Sequence, residues 1–83
     1  MRIIWDEPKR LSNLAKHGLD FGDVTLEFFQ NASAKSAKKG RLLALGKIGP
    51  ERVVAVIFVP VGSEALSVIS MRPASKRERA YAP

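Results

Sequence analysis

The sequence predicts an α+β domain in which two helices precede an antiparallel sheet, and three observations lead there. Two helix signals lie within residues 6–29, strand patterning takes over from Arg41, and the later strands are joined by connections short enough to make neighbours antiparallel. A chain of 83 residues makes one domain, residues 1–83, and it carries neither an internal repeat nor a linker. A domain of this size buries roughly 60–65% of the surface its unfolded chain exposes, so it folds with little stability to spare.

Each element has local chemistry behind it. Arg2-Ile3-Ile4-Trp5 reads as a short apolar strand, and Trp5 beside Ile3 and Ile4 reads as core rather than as a base-stacking platform. Asp6 is placed to cap a helix, with Glu7 favourable in its first turn and Pro8 tolerated there. Leu11, Leu14 and Ala15 fall at i, i+3, i+4 and predict a narrow buried stripe. Lys16 and His17 suit the last turn, where cations complement the helix dipole, and Gly18 supplies the stop. Asp20 starts a second helix whose buried face is Phe21, Val24, Phe28 and Phe29, with Asp23 near its N-terminal end. Residues 31–40 are small, polar and basic; they read mostly as a mobile loop with room for a short edge strand.

From there the pattern is of strands. Arg41–Ile48 is one, and Gly49-Pro50 turns the chain. Arg52–Val59 is the most continuous apolar run and predicts a central strand covered on both faces. Pro60 is expected to end it, Gly62-Ser63 to turn, and Ala65–Met71 to alternate as the last strand. Pro73 breaks that pattern. Ser75 and Glu78 then have the spacing of a capping box, which opens a short basic helix running to about Tyr81. The two early helices are expected on one face of the sheet.

Composition narrows the chemistry. Fourteen Lys and Arg against eight Asp and Glu give a net charge of +6, so the expected partners are anionic, a nucleic acid or an acidic protein. With no cysteine, disulfide scaffolds, thiolate metal sites and thiol nucleophiles drop out. His17 is the only histidine, which removes a purely imidazole-bound metal, and no cofactor is expected. No apolar run reaches the ~20 residues a membrane-crossing helix needs, and the first residues lack a signal-peptide core, so the expectation is a cytoplasmic protein without a membrane partner.

The cations divide into a loop group (Lys35, Lys38, Lys39, Arg41), a C-terminal group (Arg72, Lys76, Arg77, Arg79) and a scattered remainder. If the last helix extends back to it, Arg72 shares a face with Lys76 and Arg79 at i, i+4, i+7, an arrangement suited to phosphate. A solvated charged face explains the same pattern. His17 is the one side chain able to exchange protons near neutral pH without help, yet a helix-end histidine needs no chemistry to explain it. Glu78 is explained by its cap before any role as a base. Tyr81, the only tyrosine, could stack a base, donate a proton or pack the helix end. No paired carboxylates and no phosphate-cradling glycine loop are readable. A cleavage chemistry here would be metal-free, turning the RNA 2′-hydroxyl on the adjacent phosphate, and therefore selective for RNA over DNA.

Two stretches carry a resemblance. Ile4-Trp5-Asp6-Glu7-Pro8-Lys9 followed by Asn13-Leu14-Ala15-Lys16-His17-Gly18-Leu19-Asp20-Phe21, and later Val68-Ile69-Ser70-Met71-Arg72-Pro73-Ala74-Ser75-Lys76-Arg77-Glu78-Arg79-Ala80-Tyr81, resemble the BrnT family of bacterial toxins over almost the whole chain. The resemblance implies a RelE-like fold and a metal-independent endoribonuclease that inhibits translation. It also implies a cognate BrnA-type, DNA-binding antitoxin, a heterotetramer, and contact with promoter DNA only through that antitoxin. Carried onto these positions, it makes Arg72, Arg79, Lys76, His17 and Tyr81 the catalytic candidates, and the grouping of cations adds Arg77, Lys35, Lys38, Lys39 and Arg41 as RNA-binding ones. Residues 34–41 hold lysines where the family often has acidic residues and a histidine, and Phe58-Val59-Pro60-Val61 replaces a common Tyr-Thr-x-Arg pattern. These departures point to an attenuated enzyme or a non-catalytic RNA-binding corepressor as the alternative.

Overall fold

Strand β1 (Arg2–Trp5) leads into helix α1 (Glu7–His17), a 3-10 turn (Phe21–Asp23) and helix α2 (Leu26–Asn31). Strands β2 (Ser33–Ser36), β3 (Leu42–Ile48), β4 (Arg52–Val61) and β5 (Ala65–Pro73) follow, with a second 3-10 turn at Lys38–Gly40 and a final one-turn helix, α3 (Lys76–Arg79). This computed structural model describes all 83 residues. The five strands form one sheet in the order β1-β5-β4-β3-β2, and β4 is the central strand its apolar run requires. Pairings from β2 to β5 are antiparallel, but β1 lies parallel to β5, so the sheet is mixed rather than purely antiparallel. A short connection dictates direction only between consecutive strands; β1 meets β5 across most of the chain, where no such rule holds.

The segment from Leu19 through α2 covers one face. Leu19, Phe21, Val24 and Phe28 pack on Ala44, Val54, Val56, Phe58, Val68 and Met71 there, with Trp5 set edge-on to Phe21 at 6.4 Å. On the opposite face Leu43, Leu45 and Ala55 form a smaller cluster, covered only by Ala37, Ala74 and Ala82 and flanked by Ile57. The first face is sealed by helices and aromatics, and the second only by alanines and chain ends.

Several local expectations shift for identifiable reasons. Asp20 caps only the 3-10 turn, accepting from the Gly22 N–H, and Thr25 starts α2 by accepting from the Phe28 N–H, so the second helix is two pieces. Phe21, Val24 and Phe28 are nonetheless buried as the spacing requires. Residues 33–36 are an edge strand, fully exposed, where Lys35 discourages further pairing. Pro60 does not end β4; it sits in register with Leu66, and the strand continues to Val61. Alternation in β5 is broken by a bulge: Ile57 faces Ser70 and Phe58 faces Val68, so Ile69 is the extra residue. The bulge is what lets both Val68 and Met71 point at the helices.

The largest correction concerns α1. Its cap, Asp6, and its stop, Gly18 at φ +68°, stand where the spacing puts them, but Leu11 and Leu14 are 52% and 37% exposed and Ala15 is exposed too. The buried residue of the helix is Asn13, 8% exposed. Its Nδ2 donates to the Leu19 carbonyl at 3.2 Å, and its Oδ1 accepts from the Met71 N–H at 3.1 Å and from the Ser70 hydroxyl at 3.4 Å. β1 pairs with β5 only as far as Val68, so Asn13 supplies the acceptor that a longer β1 would have offered Met71. Hydrogen-bond demand, rather than the leucines, sets the rotation of the helix.

Two outcomes test this account. Asn13→Ala strands the Met71 N–H and the Leu19 carbonyl, and should cost about 2–4 kcal/mol in urea unfolding; a loss under about 0.5 kcal/mol would contradict the role given to Asn13. At Gly46 an added Cβ would meet Phe28 Cε2 at 2.8 Å and Ala32 Cβ at 3.3 Å. Gly46→Ala should therefore cost about 1–3 kcal/mol, part of it recovered by adding Phe28→Leu.

Candidate functional site

Of the fourteen cations, two are ion-paired, Arg10 and Arg72, which leaves twelve with no carboxylate within reach. Arg10 is a clamp. Its Nε and Nη2 donate to Glu7 at 2.7 and 2.9 Å and its Nη1 to both Asp20 oxygens at 3.1 Å, fixing the corner between α1 and the following turn. The hydrogen bonds from Arg10 and Trp5 hold the Glu7 carboxyl below its usual range. The Gly22 N–H, then Arg10, do the same for Asp20.

Arg72 makes a two-pronged pair with Glu78, Nη1 to Oε1 at 2.6 Å and Nη2 to Oε2 at 2.9 Å. The same Oε1 accepts from the Ser75 N–H at 2.8 Å, while Ser75 Oγ accepts from the Glu78 N–H at 3.1 Å, so the capping box is complete. Arg72 first, against some burial, pulls the Glu78 carboxyl down to about 2, and Glu78 in turn raises Arg72. A carboxyl held this firmly anionic is a tether and a poor general base. Arg72 stands on β5 and not on a helix, so it does not share a helical face with Lys76 and Arg79; α3 is a single turn, and the ion pair is what joins it to β5.

The other candidates are organised by the sheet. Lys35, Leu43, Ile57 and Ser70 are successive register partners across β2, β3, β4 and β5, and Ser33, Leu45, Ala55 and Arg72 form the adjacent row. Directly paired residues point to the same side, so both rows lie on the thinly covered face. At the β2 end, Ser33, Ala34, Lys35, Leu45, Arg77 and Tyr81 line a groove of about 450 Å³, with Tyr81 67% exposed at its rim. Exposure at that level excludes a helix-packing role for Tyr81 and leaves its ring free to stack. At the β5 end, a cleft of about 460 Å³ is lined by Pro8, Lys9, Ser12, Asn13, Lys16, His17, Arg41, Ile69 and Ser70.

The structure therefore splits the candidates. Lys35, Arg77 and Tyr81 share one groove, while His17 and Arg41 share the other cleft, which reaches β5 at Ile69 and Ser70. Lys76 and Arg79 are exposed on α3. Lys38 and Lys39 are exposed on the turn between β2 and β3, where Lys39 at φ +61° and Gly40 at φ +73° reverse the chain. His17 is half-buried at the end of α1, and its ring makes no hydrogen bond within the chain. Lys9 and Lys16, two of the scattered cations, join the cleft together with Ser12 and Ser70, to which the sequence assigns no role; the helical repeat of 9, 12 and 16 is the one signal of this in the chain. A larger cleft of about 550 Å³ carries Asp23 and Glu27 against Lys47 alone and does not suit an anion. Cations, a free phenol, a free imidazole and an open sheet face can bind a polyanion and stabilise charge developing on a phosphate.

Comparison with known proteins matches the chain as a whole. Residues 5–78 match the family model described as ribonuclease toxin, BrnT, of type II toxin–antitoxin system. No curated protein matches the chain. The 1.1 Å crystal structure of the Brucella abortus ribonuclease toxin BrnT is similar in fold, with a TM-score of 0.86 and 60% sequence identity over 92% of this chain and 99% of that one.

The Arg72–Glu78 tether makes a pH-dependent prediction. Glu78 titrates near 2 when folded against 4.5 ordinarily, so its stabilisation is present in full above the unfolded value and disappears as pH falls toward 2. Glu78→Gln should cost about 1–2 kcal/mol at pH 7; most of the gap from the parent chain should be gone at pH 2.5, and the remainder should disappear only below pH 2. Urea midpoints at the two pH values check this; an unchanged gap would show that the ion pair contributes nothing.

Proposed function

The chain belongs to the BrnT family of ribonuclease toxins of type II toxin–antitoxin systems, and from that premise we propose that it is a metal-independent endoribonuclease that lowers translation by cutting RNA. The observation that carries this reading is the asymmetry of the sheet: one face is sealed by helices, and the other, thinly covered, is bracketed by unpaired cations from α1, from the β2–β3 turn and from α3.

The reaction needs little beyond charge and orientation. The RNA 2′-oxygen attacks the adjacent phosphorus and loses its proton. The bond from phosphorus to the 5′-oxygen breaks and that oxygen is protonated, leaving a 2′,3′-cyclic phosphate and a 5′-hydroxyl. Arg72, Lys76 and Arg79 are assigned to the negative charge that builds on the non-bridging oxygens. Tyr81 and His17 are the two side chains able to carry the protons, and their separation across the sheet means that one phosphate meets only one of them. Arg77, Lys35, Lys38, Lys39 and Arg41 bind the rest of the strand.

A toxin of this class works against an antitoxin. We assign to that role a BrnA-type, DNA-binding protein that covers the cationic face with acidic side chains, assembles with the toxin as a heterotetramer and carries it to promoter DNA. A cytoplasmic location fits this partnership, and no helix is long and apolar enough to cross a membrane. The second reading, an attenuated or non-catalytic RNA-binding corepressor, draws on the engagement of Arg72 by Glu78 and on the apolar stretch at Phe58-Val59-Pro60-Val61.

Expression in a bacterium should arrest growth, and Arg79→Ala or Arg72→Ala should relieve the arrest. Purified protein should cut RNA in EDTA and leave 2′,3′-cyclic ends, with a rate loss of roughly 10²-fold or more in whichever of Tyr81→Phe and His17→Ala removes the proton carrier. A strict requirement for divalent metal overturns the mechanism. RNA binding without new ends moves the assignment to the corepressor.

A further inference from the structure

The cleft beside α1 gathers charge that nothing inside the chain neutralises. Lys9, Ser12 and Lys16 recur at i, i+3 and i+7 on one side of α1, and across from them stand Ser70 on β5 and Arg41 at the foot of β3. Neither lysine nor Arg41 has an ion-pair partner, the His17 ring is unbonded, and no carboxylate lines the cleft. Asn13 forms part of the wall but commits its amide to Leu19 and Met71, which makes it a rigid floor rather than a ligand. Three cations around one concavity with a low-dielectric wall repel one another, and the resulting field is relieved by a bound anion. The donor set also has a shape. A planar guanidinium, two ammonium groups, the Ser12 hydroxyl and an imidazole N–H approach from α1 and the foot of β3, while the Ser70 hydroxyl is spent on Asn13. Such a set suits a group with several acceptor oxygens better than a single flat carboxylate.

We propose that this cleft is a phosphate subsite in which Lys9, Lys16, His17 and Arg41 hold a backbone phosphate of an RNA strand lying across the open sheet face. The proposal rests on the ribonuclease reading, gives His17 and Arg41 a shared phosphate, and adds Lys9 and Lys16, which that reading does not use. Ser70 ends the cross-strand row that begins at Lys35, so a short strand bound in the Arg77–Tyr81 groove reaches the cleft by crossing Leu43 and Ile57.

Because His17 is the only histidine, its ring C–H resonances report on the cleft without ambiguity. Inorganic phosphate added at constant pH and ionic strength should shift them saturably, and the shift should vanish in Lys9→Ala/Lys16→Ala. A 2′-O-methyl oligoribonucleotide, which binds but is not cleaved, should then bind that double variant roughly tenfold more weakly. The slope of log affinity against log salt should fall by about 0.7, the value of one phosphate contact on a single strand. Lys47→Ala, in the distant cleft with Asp23 and Glu27, removes a charge without these effects. Both lysines of the double variant are exposed and without side-chain partners, so its circular dichroism should match the parent.

A phosphate shift with unchanged oligonucleotide affinity would make this a site for free phosphate and overturn the RNA subsite. A tetraglutamate peptide that moves His17 where phosphate does not would reassign the cleft to an acidic partner and overturn the subsite equally. Undiminished oligonucleotide binding by the double variant, while the parent still cuts RNA, refutes the subsite and leaves the ribonuclease reading standing. Failure of the parent either to bind the oligonucleotide or to cut RNA refutes both.

Discussion

The hydrogen bond from the Met71 N–H to Asn13 Oδ1 decides where α1 lies. β5 needs a partner along its outer edge, and β1 is only four residues long, pairing from Arg2 to Trp5. Beyond that point the edge is completed by a side chain on the helix that follows β1 immediately. An edge finished half by strand and half by helix fixes α1 against β5 in both position and rotation. With Asn13 turned inward, Lys9, Ser12 and Lys16 are carried over Ser70 and the leucines are carried out into solvent. The cleft beside α1 is thus a geometric consequence of satisfying one strand edge.

The ion pairs complete the same frame. Arg10 binds carboxylates on both sides of the corner after α1, and Arg72 fastens the last turn of helix to β5 through Glu78. Both use acidic residues from a limited supply of eight, and Asp6 is occupied as a helix cap. Asp23 and Glu27 sit together by another cleft. Six of the eight carboxylates are therefore engaged in structure or gathered elsewhere, and none of the eight lines the two basic clefts of the open sheet face. That separation, more than the net charge of +6, is what gives the molecule a face suited to a polyanion.

What could be read from the chain were the features whose cause is local. Asp6 and Gly18 bound α1, Ser75 and Glu78 make their capping box, Arg52–Val59 is the central strand, and Phe21, Val24 and Phe28 are core, because caps, turns and apolar runs act within a few residues. The i, i+3, i+4 stripe of α1 does not predict its buried side, because Asn13 on the adjoining side has three hydrogen bonds to make. The parallel placement of β1 and the bulge at Ile69 were unreadable for the same reason, since each depends on a partner distant in sequence.

The candidate site divides along that line. The sequence by itself determined which residues were available: one histidine, one tyrosine, and cations in excess, with motif order that resembles the family to which the chain belongs. Only the tertiary structure decided their grouping. It paired Arg72 with Glu78, set Tyr81 beside Lys35 and Arg77, and brought His17 to Arg41 together with two lysines that had no assignment. Composition and spacing act along the chain, whereas a binding cleft is a property of strand register and helix rotation, and both of these are set by hydrogen bonds between residues as far apart as Asn13 and Met71.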